Sequence, residues 1–354
     1  MVNQHLFPAK YWRQTRQGVQ CLLCPRTCRI GAGRTGYCRA RINQKGKLYS
    51  LIYEQVGAIM VSAIEKKPLF HFHPGSWWLS LGTYGCNFRC PGCQNYHLAH
   101  RKIDQEKARR ITAEELVLLA KEYNCLGLSF TYNEPGIWIE YILEAGELAQ
   151  SQGLLVNLVS NGFISCPARE ELFEIINAYR VDLKGYFPQT YEKLARISQP
   201  KIIRNNILRA KKKGIWVELV TNLTPGVNDS EAELKEMASW IAGELGREVP
   251  WHLTRFFPAF QWSHLPPTSI KKMEQAWELA KAQGLKFVYL GNLAGDKREN
   301  TYCPECGALL IERRIFGVLK LNLSREGICP ECGEKIPGHF QRAKEGICYD
   351  QSVF

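Results

Sequence analysis

The sequence predicts an α/β fold: parallel strands curved into a partial (β/α) barrel, between an N-terminal cysteine-rich module and a C-terminal zinc-ribbon-like domain. Three observations carry this expectation. Short β-rich runs alternate with helical stretches from about residue 77 to 290, the order that builds parallel strands with helical crossovers. Eleven of the fourteen cysteines fall in three tight groups, two of them flanking that region and one inside it. With 354 residues and 45% hydrophobic content, the chain can bury a sizeable core without staples.

Residues 1–76 read as the N-terminal cysteine-rich module and its strands, 77–298 as the barrel and 299–354 as the ribbon-like tail. Within 1–47 the context is Gly- and Arg-rich and poorly periodic, so a metal-stapled wrap fits better than an independent core. LYSLIYEQVGAIMVSAI (48–64) suggests one or two strands, and EKKPLFHFHPG (65–75) a loop. Candidate barrel strands are WLSLGT (78–83), LGLSFTY (126–132), LLVNLVS (154–160), AYRVDLK (178–184), IWVELVT (215–221), WHLTRFF (251–257) and KFVYLG (286–291). Helices are expected at 112–124 and near 136–151, 199–213, 229–243 and 268–283. The first opens with Thr112 and Glu115 at capping-box spacing. A barrel or partial barrel of at least six strands is preferred to a doubly wound sheet; either gathers chemistry at the C-terminal strand ends.

Composition excludes some classes. The longest apolar runs, such as LVLLA at 116–120, are too short to span a bilayer, and MVNQHLFPAKYWRQ has no apolar stretch of signal-peptide length. A cytoplasmic location is expected. The formal charge of +12 is compatible with nucleic acid, acidic partners or anionic small molecules. Clustered cysteines at short spacings in a chain this long read as metal ligands, not disulfides. Cys125, Cys166 and Cys348 fall outside the groups and read as a buried residue, a helix-start residue and a tail thiol.

GCNFRCPGCQN places Cys86, Cys90 and Cys93 at C-x3-C-x2-C, directly after a candidate strand. Three thiolates can hold three irons of a 4Fe–4S cluster and leave the fourth open for catalysis. The competing reading is a zinc knuckle that borrows a distant ligand such as His97. In the tail, CPECG at 303–307 and again at 329–333 forms two C-x2-C knuckles. Cys303, Cys306, Cys329 and Cys332 would close a tetrahedral zinc, with a rubredoxin-like iron as the alternative. Stabilisation of the tail is the expected role. Cys21, Cys24, Cys28 and Cys38, at C-x2-C-x3-C-x9-C, could hold structural zinc or a second iron–sulfur cluster, which could relay electrons or bind substrate. His71 and His73 read as polar packing near the barrel entrance. Lys66 and Lys67 read as solvated charge or a contact for an acidic substrate.

The central trio at the first strand of such a pattern resembles the radical S-adenosylmethionine (SAM) superfamily. The resemblance extends through CLLCPRTCRIGAGRTGYCRAR (21–41), IEKKPLFHFHPG (64–75), GTYGCNFRCPGCQN (82–95), FTYNEP (130–135), VDLKG (181–185), TPGVNDS (224–230) and ENTYCPECGALLIERR (299–314). In that order these stretches resemble the AmmeMemoRadiSam system radical SAM enzyme, related to the pyruvate formate-lyase activating enzymes. The resemblance implies a 4Fe–4S cluster on Cys86, Cys90 and Cys93 whose open iron chelates SAM. Reductive cleavage would give a 5′-deoxyadenosyl radical that takes hydrogen from an unidentified substrate.

By the same resemblance, Glu134, with Asn133 beside it, matches the stretch that contacts the SAM amino group. Ser160 and Asn161 match a turn of the activases. Lys184 would bind the SAM carboxylate, and Asp182 would position it or hold a cation. Glu218, Asn222 and Arg255 on later strands are weaker candidates for the barrel interior. Two departures stand out: Gly92 replaces the aromatic residue that usually precedes the third cysteine, and Val159 an acidic one, which counts against a cation site.

Implied partners are a one-electron donor such as flavodoxin or ferredoxin, Memo-like and AMMECR-type proteins, or a glycyl radical enzyme. The reading from another class is an RNA-modifying or RNA-binding metalloprotein. The basic residues are too scattered to favour it, with only small groups such as KKK at 211–213.

Overall fold

The computed structural model describes residues 6–104, 108–341 and 351–353; Cys348 lies outside them. Seven parallel strands stand side by side in chain order: β1 (Trp77–Gly82), β2 (Gly127–Phe130), β3 (Leu155–Ser160), β4 (Ala178–Asp182), β5 (Trp216–Leu223), β6 (Trp251–Arg255) and β7 (Val288–Gly291). That sequential order, with no reversal, is the topology of a barrel and not of a doubly wound sheet. The barrel is partial, because β7 forms one edge and does not pair with the other. Beyond β1 the sheet continues with antiparallel Ala58–Ala63 and then Gln351–Ser352. It therefore crosses the expected division at 76/77 and takes in the end of the chain.

Helices α1 (Ala113–Glu122), α2 (Ile139–Ser151), α3 (Cys166–Ile175), α4 (Pro188–Ala195), α5 (Lys201–Lys212), α6 (Glu231–Trp240) and α7 (Ile270–Ala282) lie in the crossovers. α1 begins in the expected capping box: Thr112 Oγ1 accepts from Glu115 N at 3.2 Å, and Glu115 accepts from Thr112 N at 2.8 Å. Cys166 opens α3 and is exposed, and Cys125 is buried. Among the described residues no helix is long and apolar enough to cross a membrane.

Strand alternation sets the two faces of the sheet. Leu79, Leu81, Leu128, Phe130, Val156 and Leu158 bury themselves in one core with Leu116, Ile142 and Ala145 of the helices. Truncating such a side chain to Ala costs about 2–5 kcal/mol. The other face is polar. Ser62 and Ser80 hydroxyls meet at 3.0 Å, and Ser129 donates to Asn157 at 2.8 Å. Val19, Leu23 and Ile30 of the N-terminal wrap belong to the same core as the barrel.

Glu218 organises the floor. Its carboxylate accepts from Phe70 N (2.9 Å), His71 N (2.8 Å) and Trp216 Nε1 (2.9 Å), and meets His252 Nε2 at 2.7 Å. Burial pushes this carboxyl up, but His252 and its other donors outweigh burial and hold it below the usual range. The loop 65–75 is thereby pinned across the lower barrel, and the tail docks on it. His71 is buried, with Nδ1 2.8 Å from the Pro337 carbonyl and Nε2 2.6 Å from the Tyr289 hydroxyl. His73 Nδ1 meets the Gln341 carbonyl at 3.4 Å. Both histidines are polar packing, as expected, but between the barrel floor and the tail instead of near the barrel entrance. Phe70, Phe287 and Tyr289 share a second core with Leu310, Ile311, Ile336 and Phe340 of the tail.

Candidate functional site

A cavity of about 530 Å3 opens at the C-terminal ends of β1 to β4 and holds all three central cysteines. A second of about 350 Å3 adjoins it toward β5 and β6, sharing Cys90, Cys93, Asp182 and Lys184. Volumes of this size suit a small-molecule ligand.

The loop after β1 is fixed before it reaches the cysteines. Gly85 has φ +87°, and a Cβ there would lie 2.3 Å from the Cys38 carbonyl, so only glycine fits. Asn133 clamps the same loop from β2: its Oδ1 accepts from Thr83 N at 3.1 Å and its Nδ2 donates to Gly85 O at 2.8 Å. Asn133 faces the cavity, but its amide is committed to the loop. Asn161, after β3, donates to Asn87 Oδ1 at 2.8 Å and lies 3.9 Å from Cys86 Sγ. Burial pushes the Cys86, Cys90 and Cys93 thiols up, so a bound cation has to stabilise their thiolate form.

Glu134 is held from both sides. Oε1 accepts from Gly136 N and Ser160 Oγ, each at 2.8 Å, and Oε2 from Asn161 N at 2.7 Å. Burial pushes it up to about 7 against those hydrogen bonds, an environment that favours a cationic partner. Opposite, Asp182 accepts from Arg180 Nη1 and, at 3.0 Å, from Lys184 Nζ. Burial raises its carboxyl, but the two cations win and hold it below the usual value. For Lys184 burial lowers the ammonium, and Asp182 and Cys90 more than restore it.

Cys86, Cys90, Cys93, Asn133, Glu134, Ser160, Asn161, Asp182 and Lys184 line the first cavity together, and Asn222 lines the second. Two candidates do not join them. Glu218 shares the inward face of β5 with Asn222 but sits lower, saturated by the floor. Arg255 follows the cavity-lining Thr254, so alternation turns it away, and its Nε donates to Thr268 O at 2.7 Å. Lys66 and Lys67, read mainly as solvated charge, both line the cavity, and Lys67 is buried.

Sequence reasoning missed Arg180, although the two-residue period that paired Asp182 with Lys184 also puts Arg180 on their face. It also missed Trp262 and Phe256. A Cβ on Gly92 would lie 2.8 Å from Trp262 and 3.0 Å from Phe256, so rings from the β6 side fill the space that an aromatic at 92 would take. No local signal announces them, since they arrive from a distant loop.

The sulfur spacing bears on which metal fits. Among the described residues, Cys303, Cys306, Cys329 and Cys332 form the metal-ligand set whose donor atoms all lie within 4.8 Å of one another. The central trio is spread more widely, and His97 is exposed and off the cavity. Separated thiolates facing an open space fit a polynuclear cluster with one free position better than a closed zinc knuckle.

Comparison with known proteins agrees with the geometry. Residues 80–241 match the Radical SAM superfamily. An uncharacterized protein of Methanocaldococcus jannaschii is 41% identical over 320 residues, covering 90% of this chain and 95% of the relative. A second protein of that organism, named as a glycyl-radical enzyme activating enzyme, is 27% identical over 164 residues, 45% of this chain and 65% of its own. A crystallised domain of pyruvate-formate lyase-activating enzyme from Bacteroides vulgatus superposes with a TM-score of 0.41 at 18% identity, over 47% of this chain and 99% of the domain. The superfamily implies SAM and a 4Fe–4S cluster, for which the three separated thiolates and the polar cavity beside them are a fitting donor set. On the match over 80–241 and the kinship along nearly its whole length, the chain belongs to the Radical SAM superfamily.

Proposed function

We propose that the protein reductively cleaves SAM at a 4Fe–4S cluster held by Cys86, Cys90 and Cys93 and uses the resulting radical to take a hydrogen atom from a substrate. The observation that carries this reading is the meeting, in one cavity, of three spread thiols with a buried carboxylate and two half-buried cations, Arg180 and Lys184, paired through Asp182. When bound, the cluster supplies one electron and an open iron, which is the chemistry the thiolates alone cannot provide.

The chain's own residues account for the rest. Glu134 would receive the SAM ammonium as a charge-assisted hydrogen bond, already oriented by Ser160 and Asn161. Lys184, kept protonated by Asp182, would meet the carboxylate. Asn133 and Asn161 act as positioning residues, holding the loop that carries Cys86. Trp262 and Phe256 offer the rings beside which the adenine would lie. The tail metal would be a structural zinc. A reducing, cytoplasmic setting with a one-electron donor belongs to the same reading.

A second reading, installation of a glycyl radical on a partner enzyme, is favoured by the relative named for that activity. Memo-like and AMMECR-type partners are a further proposal, open to co-purification. The test is anaerobic incubation of the reduced protein with SAM. Formation of 5′-deoxyadenosine that disappears with Cys90→Ala supports the reading; SAM left intact by the iron-loaded wild type overturns it.

A further inference from the structure

The four N-terminal cysteines are gathered differently from the four in the tail. Cys21 ends a strand, Gly18–Cys21, and its N donates to Cys28 O at 2.9 Å, so the knuckle folds back on itself. Cys21, Cys24, Cys28 and Cys38 line one small void, walled by Leu23, Ile30 and Ile137. A Cβ on Gly36 would stand 3.9 Å from Cys28 Sγ and 3.2 Å from Ile30, so glycine keeps this space open. Yet these sulfurs fall outside the 4.8 Å limit that the tail quartet meets. A tetrahedral zinc with bonds of about 2.3 Å needs sulfurs roughly 3.8 Å apart. Four thiolates spread around a void instead suit several metal atoms, each taking one sulfur.

A second observation comes from Arg41. It is fully buried and lines the void, and its Nη1 and Nη2 are taken by Lys10 O and Glu140, but its Nε has no hydrogen-bond partner. A buried donor left unpaired is costly unless something meets it. A sulfur-rich anionic cluster in the void would do so, and N–H donors of this kind also set a cluster's potential.

The void also backs onto the catalytic loop. Asn87, next to Cys86, is part of its wall, and Arg26 Nε donates to Asn87 O at 2.5 Å. Gly85 lies against the Cys38 carbonyl. The loop that carries Cys86 thus touches the wall of this void. Residues 1–53 carry ten Lys and Arg and no Asp or Glu, most of the +12 of the whole chain. Arg13, Arg16, Arg29, Arg34, Lys45 and Lys47 are exposed. Such exposed positive charge on the module attracts an acidic protein.

We propose that Cys21, Cys24, Cys28 and Cys38 hold a second, [4Fe–4S] cluster that receives single electrons from an acidic one-electron donor protein and passes them to the Cys86–Cys90–Cys93 site. The donor is oxidised by one electron, which the N-terminal cluster takes up and hands on. No bond to carbon changes there, and four thiolate ligands leave no position for substrate. The relay rests on the radical SAM reading; the presence of the cluster does not.

The test uses the full chain, anaerobically loaded with iron and sulfide. With Cys86, Cys90 and Cys93 all changed to Ala, about four irons per chain remain, one cubane's worth. Their reduced paramagnetic resonance signal does not respond to SAM. With Cys24→Ser and Cys28→Ser together, about four irons remain and their signal does respond. Deoxyadenosine formation in this double variant continues with dithionite but falls at least tenfold with reduced ferredoxin as donor. An iron-free triple variant carrying two zincs overturns the cluster, and an unchanged ferredoxin-driven rate in the double variant overturns the relay. Iron retained by the triple variant with no SAM response in the double variant leaves the cluster standing and removes the catalytic reading instead.

Discussion

Both ends of the chain bring four cysteines together, but to different separations. In the tail, Cys303 and Cys332 sulfurs are 3.5 Å apart and Cys306 and Cys329 3.8 Å, close to the edge of a zinc–sulfur tetrahedron. The two knuckles repeat the same backbone closure, Gly307 N to Cys303 O and Gly333 N to Cys329 O at 3.0 Å each, with both glycines at positive φ. Cys306 and Cys332 are exposed. At the N-terminus the sulfurs encircle a void inside the core that the barrel shares. The same ligand type thus serves opposite ends. A compact, surface quartet suits a single structural ion; an open, interior quartet beside the catalytic loop suits a cluster that moves charge.

The comparison breaks most visibly at the tail. Cys329→Ser removes a buried ligand from a site whose metal contributes on the order of 10 kcal/mol or more to folding in small zinc modules. It is expected to lose one zinc per chain, leave iron unchanged and open the tail to protease, as read by metal analysis and limited proteolysis. Iron lost in step with zinc would mean that the two quartets are not independent.

The next largest effect is at Arg41. Arg41→Met strands Glu140, whose carboxylate is almost fully buried against the guanidinium. Breaking one side of such a pair costs roughly 3–5 kcal/mol, visible as a lower Tm in both metal-free and loaded protein. If the guanidinium also tunes a cluster, the midpoint potential of the iron retained in the triple variant shifts as well.

The smallest effect concerns the joint between tail and barrel. Burial pushes His71 down to about 4, with Glu218 opposing and Arg313 and His252 adding to the shift. Its unfolded value is near 6.5. The neutral ring therefore contributes stability that is fully present above pH 6.5 and is lost as pH falls through 4. Thermal unfolding of wild type should fall more steeply across that window than that of His71→Asn, which cannot take up the proton. Parallel curves would show that His71 does not titrate on unfolding.

Much of this is legible in the sequence. The seven strand runs hold because apolar and small polar residues alternate in WLSLGT and LGLSFTY, matching one face to helices and the other to the barrel interior. Glu134, Asp182 and Lys184 sit at strand ends where an α/β barrel collects chemistry. Height and distant chain were not legible. Periodicity gave Glu218 its face but not its depth, and Arg255 lost its place because Thr254 is the residue that turns inward. α4 escaped as a helix because it is only eight residues long, and α3 was marked only by Cys166 as a helix-start residue. Trp262 filling the space over Gly92 is a contact between segments far apart in sequence, which no local pattern encodes. Sulfur separation, the quantity that divides the two quartets, is likewise absent from cysteine spacing alone.

The most direct test of this division of labour is the metal content of the wild-type chain after anaerobic purification and reconstitution. About eight irons and one zinc per chain are expected, from two four-iron clusters and one tetrahedral site. About four irons and two zincs would contradict it.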